Sequence, residues 1–372
     1  MVLALAVYGL ATAGTQSFAF KPTAASGAST SAGLAVSQAV SPTNNSLNVA
    51  TQGPNHSLYF FWNVAGKWYG PLGIGAAGST FSAPTIVAEP SSGNFDIAVE
   101  GPSHTLDFYW DIKGTWYGPF EVAGAGTTYS TPGLVEDGSG HLQIAAQGPG
   151  NTLDVYWNVS AKFYGPLGIG GPGSTFTGPS LTLNGPTTVY AWVQGRNHDL
   201  EVYTLASGVW SSASDASNDN TAYSAAGGVL LLPMGNPGSI FEGPNNSLYQ
   251  AFGPSSPALV KQLRGGGTTY SMPSAISPTG PGVAGYIANA GPSNTLSFYF
   301  PDSKTGNLDG PLQIGGTGST FSAPSLIQDD NGNQDIAVEG PSNTLWAYFD
   351  IGGVIHGPLQ VGGPGSSYSS DN

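Results

Sequence analysis

Three histidines, His56, His104 and His198, are the first residues that could act together, since imidazole is a common metal ligand. Their context argues for something else. Each stands two residues before a leucine (Leu58, Leu106 and Leu200), and the same position elsewhere holds Asn151, Asn246, Asn294 and Asn343. Asparagine and histidine share a tolerance for left-handed backbone, so the pattern predicts a turn position rather than a metal site. The string Asp329-x-Asn331-x-Asn333-x-Asp335 has the alternating oxygen donors of a calcium loop. Its glycine is misplaced and the closing glutamate is missing, whereas Asp330-Asn331-Gly332-Asn333 is good hairpin chemistry. Glu100 and Glu339 could form a glycosidase pair. Yet Glu242 fills the same slot, and Gln52, Gln147, Gln194 and Ala290 fill it elsewhere, so it is a repeated position and not one paired site. No Gly-x-Ser-x-Gly elbow and no sialidase-type Asp-box is present. No enzyme, metal or cofactor is expected.

These coincidences come from internal repetition. A Gly-Pro step followed by a small polar pair and Leu occurs at Gly53, Gly101, Gly148, Gly243, Gly291 and Gly340, with Gly195-Arg196 filling the gap. Successive glycines lie 48, 47, 47, 48, 48 and 49 residues apart. A Gly-Ser/Thr-Thr-aromatic string keeps the same beat at Phe81, Tyr129, Phe176, Tyr270 and Phe321, with looser copies at Tyr223 and Tyr368. An aromatic-Tyr-Gly-Pro string follows at Trp68–Pro71, Trp116–Pro119 and Phe163–Pro166, and blades four and five lack it. In the last repeat four short strands are predicted over 323–328, 335–339, 344–350 and 354–361. In the second, Leu106, Phe108 and Trp110 should face one way and Asp107 and Tyr109 the other. Four strands per unit, seven units and a period in the forties predict an all-β fold, a seven-bladed β-propeller over residues 33–369.

Composition agrees and excludes several functions. The 56 Gly and 29 Pro suit turns, while 40% hydrophobic and 11% aromatic residues distinguish the chain from a disordered one. Eight Lys plus Arg against 22 Asp plus Glu leave no basic stripe for nucleic acid or an anionic membrane surface. The absence of cysteine rules out disulfides and thiol chemistry. Residues 1–13 read as an apolar segment ending in Ala11-Thr12-Ala13, like a signal peptide without its basic start; it is too short to span a bilayer. Residues 14–32 read as a flexible leader, and the chain is expected to be secreted or at the cell surface.

The aromatic residues carry the functional reading. All eight Trp lie inside repeats, where packing between blades is their first role. An aromatic plate beside an amide or carboxylate acceptor also suits the C–H face and hydroxyl rim of a sugar. Blades one to three carry both: Trp62, Trp68 and Gln52; Trp110, Trp116 and Glu100; Trp157, Phe163 and Gln147. Glu339 offers the same acceptor in blade seven. Sites between the regular blades are therefore expected, with glycans or cell-surface polysaccharide as partners.

The unit from Asp96 to Trp110, with Gly101-Pro102, Leu106 and Trp110, its continuation through Trp116 and the glycines near Gly124, and Ser130-Thr131-Pro132 resemble the bacterial seven-bladed propeller lectins that bind fucose and related sugars. The resemblance implies several sugar sites in pockets between adjacent blades, no catalysis and no cofactor. Gly-Pro stands where those lectins usually have Gly-Thr-Asp, and the second aromatic of strand three often differs. A structural or adhesive surface protein that uses the propeller as a protein-binding scaffold is the alternative.

Overall fold

The structure is a computed structural model that describes residues 36–231, 237–253, 260–276, 285–302, 304–305 and 307–368. The N-terminal segments 1–13 and 14–32 lie outside the described residues. Seven antiparallel sheets form a ring; each takes its strands consecutively from the chain, and blade four adds a short pair at Ser214–Asp215. The blades span 36–75, 85–123, 133–170, 180–215, 227–264, 274–315 and 325–362. Among the described residues the only helical segments are single turns such as Pro102–His104. No helix among them is long and apolar enough to cross a membrane.

Strand three shows why the blades stack. Leu106, Phe108 and Trp110 join the cluster shared with blade three, while Tyr109 joins the one shared with blade one. Both faces are buried, and a fully buried Tyr109 contributes about 2 kcal/mol of apolar transfer. The Gly-Pro strings fit round these rings. Gly118 has φ +123°, and a Cβ there would lie 2.7 Å from the Tyr109 ring.

The ring closes without strand exchange, because blades one and seven are each chain-consecutive. It closes with the bond used at the other junctions: Tyr368 N donates to Gln52 O at 2.8 Å, as Phe81 N does to Glu100 O. Ala83, Ala225, Met272 and Ala323 come from four different junctions yet form one buried cluster, which narrows the axis at that end.

Candidate functional site

The propeller has two faces. One carries the Gly-Pro turns and the loops between blades; the other carries the hairpins joining strands one to two and three to four. The histidine column belongs to the first. His56, His104 and His198 have φ of 57°, 63° and 55°, and Asn151, Asn246, Asn294 and Asn343 lie at 62°, 57°, 58° and 57°. This is the left-handed turn position expected from their alternation. His56 O then accepts from Ser79 N and Thr80 N, which anchors the loop to the next blade.

The Gln/Glu slot braces the same turn. Gln52 Nε2 donates to Thr80 O at 2.9 Å and meets His56 Nδ1 at 2.7 Å. Gln147 Nε2 donates to Asn151 Oδ1 and Thr175 O. Glu100 Oε1 lies 2.6 Å from His104 Nδ1, and Glu339 Oε1 accepts from Asn343 Nδ2 at 2.9 Å. Burial pushes the Glu100 carboxyl up, opposed by its bond to His104. All four slot residues are buried.

The candidate tryptophans lie towards the other face. Trp62, Trp110 and Trp157 are half-buried and stack on Tyr69, Tyr117 and Tyr164 at centroid distances of 5.7, 5.6 and 6.0 Å. Gln52 pairs with Leu58, four residues from Trp62 along the strand, or about 13 Å. The nine candidate residues therefore separate into two groups, with Gln52, Glu100, Gln147 and Glu339 at one end and the five tryptophans towards the other. Trp62 and Trp68 do not share a cleft either. Trp62 pairs with Tyr69 and faces blade two, whereas Trp68 packs on the cluster shared with blade seven. What the structure brings together is a cross-blade pair: Trp62 with Trp116, Trp110 with Phe163, and Phe349 with Trp68.

Each plate has its own polar neighbour, four residues before the Gln/Glu slot. The registers place Asn48 opposite Trp62, Asp96 opposite Trp110, Gln143 opposite Trp157 and Asp335 opposite Phe349. Directly opposite residues in an antiparallel pair share a face. This column was missed from the sequence, although alternation along strand two, counted back from the slot, marks it.

Carboxylates gather here in two junctions. Between blades two and three, burial raises Asp96 to about 8, with Glu89, Glu136 and Asp111 adding like charge, and raises Glu136 to about 7. Asp111 Oδ1 and Glu136 Oε2 are buried without a hydrogen bond. Phe108 meets Phe163 edge-on at 5.1 Å and fills that cleft. Between blades seven and one, Ala347 stands where Phe108 stands, and the cleft opens into a cavity of about 220 Å³.

The calcium-like string is a hairpin. Asp329 Oδ1 accepts from Asn331 N and Asn333 N at 2.9 and 2.8 Å, and its Oδ2 from Asn333 Nδ2 at 3.0 Å. Among the described residues, Asp199, Glu201 and Asp215 bring ligand oxygens within 4.8 Å of one another. Asn197 N donates to Asp199 and Tyr203 Oη–H to Glu201.

No protein-family model and no curated protein matches the sequence. Solved structures do. The BP39L lectin from Burkholderia pseudomallei is 20% identical with a TM-score of 0.75, over 89% of this chain and 99% of that one. An Aleuria aurantia lectin variant in complex with α-methyl-L-fucoside is 14% identical with a TM-score of 0.55, over 92% and 100%. A triple arginine-to-alanine variant of AofleA from Arthrobotrys oligospora is 14% identical with a TM-score of 0.51, over 90% and 86%. The chain is similar in fold to these three structures.

Proposed function

We propose that this chain is a secreted, non-catalytic carbohydrate-binding protein whose sites are the clefts between blades. The observation that carries the reading is the pair of a half-buried aromatic plate and a directly opposite polar side chain, a motif that recurs in four blades and lines an open cavity where Phe349 and Asp335 face Trp68. Such a pair serves both the apolar face and the hydroxyl rim of a sugar. Two of the similar solved structures are named as lectins, and one of these is in complex with a fucoside. Glycans or cell-surface polysaccharide are the expected partners. With eight Lys plus Arg in the chain, neither nucleic acid nor an anionic bilayer is favoured. The apolar residues 1–13 support export to the medium or cell surface.

A single shallow cleft should bind at about 1 mM, or roughly −4 kcal/mol. Several clefts engaging one glycan surface raise apparent affinity by about 10²- to 10⁴-fold where spacing allows. Glycan-array binding competed by free sugar tests the reading. Array signal that high free monosaccharide reduces supports it; no signal on any glycan with the fold intact contradicts it.

One observation favours the scaffold reading. Phe81, Tyr129, Phe176, Tyr223, Tyr270 and Phe321 are exposed and spaced around the Gly-Pro face. Exposed apolar groups in such an arrangement suit a protein partner, and the same array with sugar competition separates the two.

A further inference from the structure

The junction of blades seven and one combines a cavity with a cluster of carboxylates. Its cavity is lined by Trp68, Phe349, Asn63, Asp335, Asp350 and Ala347, with Asp329, Asn45 and Asn333 among the remaining residues. Phe60, Phe108 and Phe298 occupy the Ala347 position in blades one, two and six, and Val155, Val202 and Gln250 in the other three, so Ala347 is the smallest residue in its column and lines the space. About 220 Å³ is below the roughly 300–1,000 Å³ of pockets for drug-sized ligands, and suits one sugar ring.

The polar groups are unbalanced. Among the described residues three carboxylates line the cavity, and no Lys, Arg or His does. Asp329 is saturated by its own turn and by Asn45 Nδ2 across the junction at 3.3 Å. Asp350 Oδ1 accepts from Gly353 N at 2.7 Å. Among the described residues the Asp335 carboxylate receives no hydrogen bond, and burial, with Asp329 and Asp350 adding like charge, raises it to about 7. The other titratable groups nearby are Tyr286, raised by burial and by Asp350, and His356, stacked on Phe349 at 6.0 Å.

We propose that this cavity binds a hexose unit carrying a free, protonated amine, its ring between Trp68 and Phe349 and its ammonium at Asp335. The proposal rests on the carbohydrate-binding reading and narrows it to a sugar class. A neutral sugar would leave the carboxylates uncompensated, and an acidic sugar would be repelled. An ammonium offers three donors and the missing charge to a carboxylate that has neither. It also gains from an aromatic face nearby. Asn45 is engaged at both amide atoms, whereas Asn63 uses its Oδ1 on Gly66 N and Asn333 its Nδ2 on Asp329, which leaves the other amide atom of each for the hydroxyls. The net charge of −14 draws cationic ligands toward the whole molecule. Glu89, Asp96 and Asp111 occupy the same three positions at the junction of blades two and three, where Phe108 closes the space.

The test is calorimetry on the full chain with glucosamine, N-acetylglucosamine and fucose at about pH 7.5 and about pH 5, on wild type, D335N, A347F and the milder A347L. Thermal melts report whether each variant folds. Glucosamine should bind wild type at least about 10-fold more tightly than N-acetylglucosamine at the higher pH. It should weaken about 10-fold in D335N and at the lower pH, where Asp335 is protonated, and be lost in folded A347F or A347L. Phe108→Ala should add a second glucosamine site. Equal or tighter binding of the two neutral sugars, or glucosamine binding unchanged in folded D335N and A347L, overturns the amine assignment. If fucose alone binds, the amine assignment falls and the carbohydrate reading stands. If none of the three sugars and no arrayed glycan binds, both fall.

Discussion

The junctions between blades two and three and between blades seven and one are built from the same columns and end in opposite states. Both place a carboxylate opposite an aromatic, Asp96 with Trp110 and Asp335 with Phe349. In the first, Phe108 packs edge-on against Phe163 and Asp96 is sealed at 4% exposure. In the second, Ala347 leaves a cavity and Asp335 stays half-buried. Between these two junctions, the residue at this position of strand three, Phe108 or Ala347, accompanies the difference between core and cleft. Fold stability and ligand access draw on the same position.

The comparison can be broken most forcefully at Phe108. Phe108→Ala should cost about 3–5 kcal/mol in denaturant unfolding, the usual range for a buried Phe. Ala347→Phe should cost less than about 1 kcal/mol, since the ring enters existing space. Equal costs would show that the two junctions are packed alike.

The next effect is electrostatic. Asp96 is raised in the folded state to about 8, against about 3.9 when unfolded. The folded state therefore binds more protons between these values, and stability present below about pH 4 is lost as pH rises to about 8. The melting temperature should be higher near pH 5 than near pH 8, and Asp96→Asn should flatten that dependence. The half-buried Asp335 should contribute less. A melting temperature that climbs through this window contradicts the burial of Asp96 as a neutral acid.

A smaller effect tests the Gly-Pro face. His104 has φ of 63°. His104→Val should cost about 1–2 kcal/mol through left-handed strain at a β-branched residue. His104→Asn should stay within about 0.5 kcal/mol, as asparagine fills this turn in four repeats. The smallest change is expected for Glu100→Gln, because Gln52 and Gln147 brace the equivalent turn. Unchanged melting and no change in any hydrolytic background are the outcomes to look for.

Blade number and strand number were legible because sevenfold repetition turns single residues into columns. The His/Asn alternation is an example: one histidine is ambiguous, but His56, Asn151 and Asn343 in one column identify a backbone requirement. The composition of each cleft was not legible. Trp62 and Trp68 read as one set until the register puts Tyr69, not Trp68, opposite Trp62. That register depends on the Asn63–Gly66 turn and on the bulge between Phe60 and Trp62. The distance between the Gln/Glu column and the plates was not legible for a related reason. Gln52 and Asn48 face the same way, four residues apart, and only the pairing shows which lies beside the plate. Ala347 gave no signal by itself; its meaning is the absence of the Phe108 ring, visible once the two junctions are superposed.

The most direct test of the central claim is a crystal structure of the protein soaked in mixed neutral and amino monosaccharides. A sugar ring is expected between Trp68 and Phe349, within hydrogen-bond reach of Asp335, and none between Trp110 and Phe163. Sugar bound only at the exposed aromatics of the Gly-Pro face, or an empty junction between blades seven and one at saturating sugar, would contradict it.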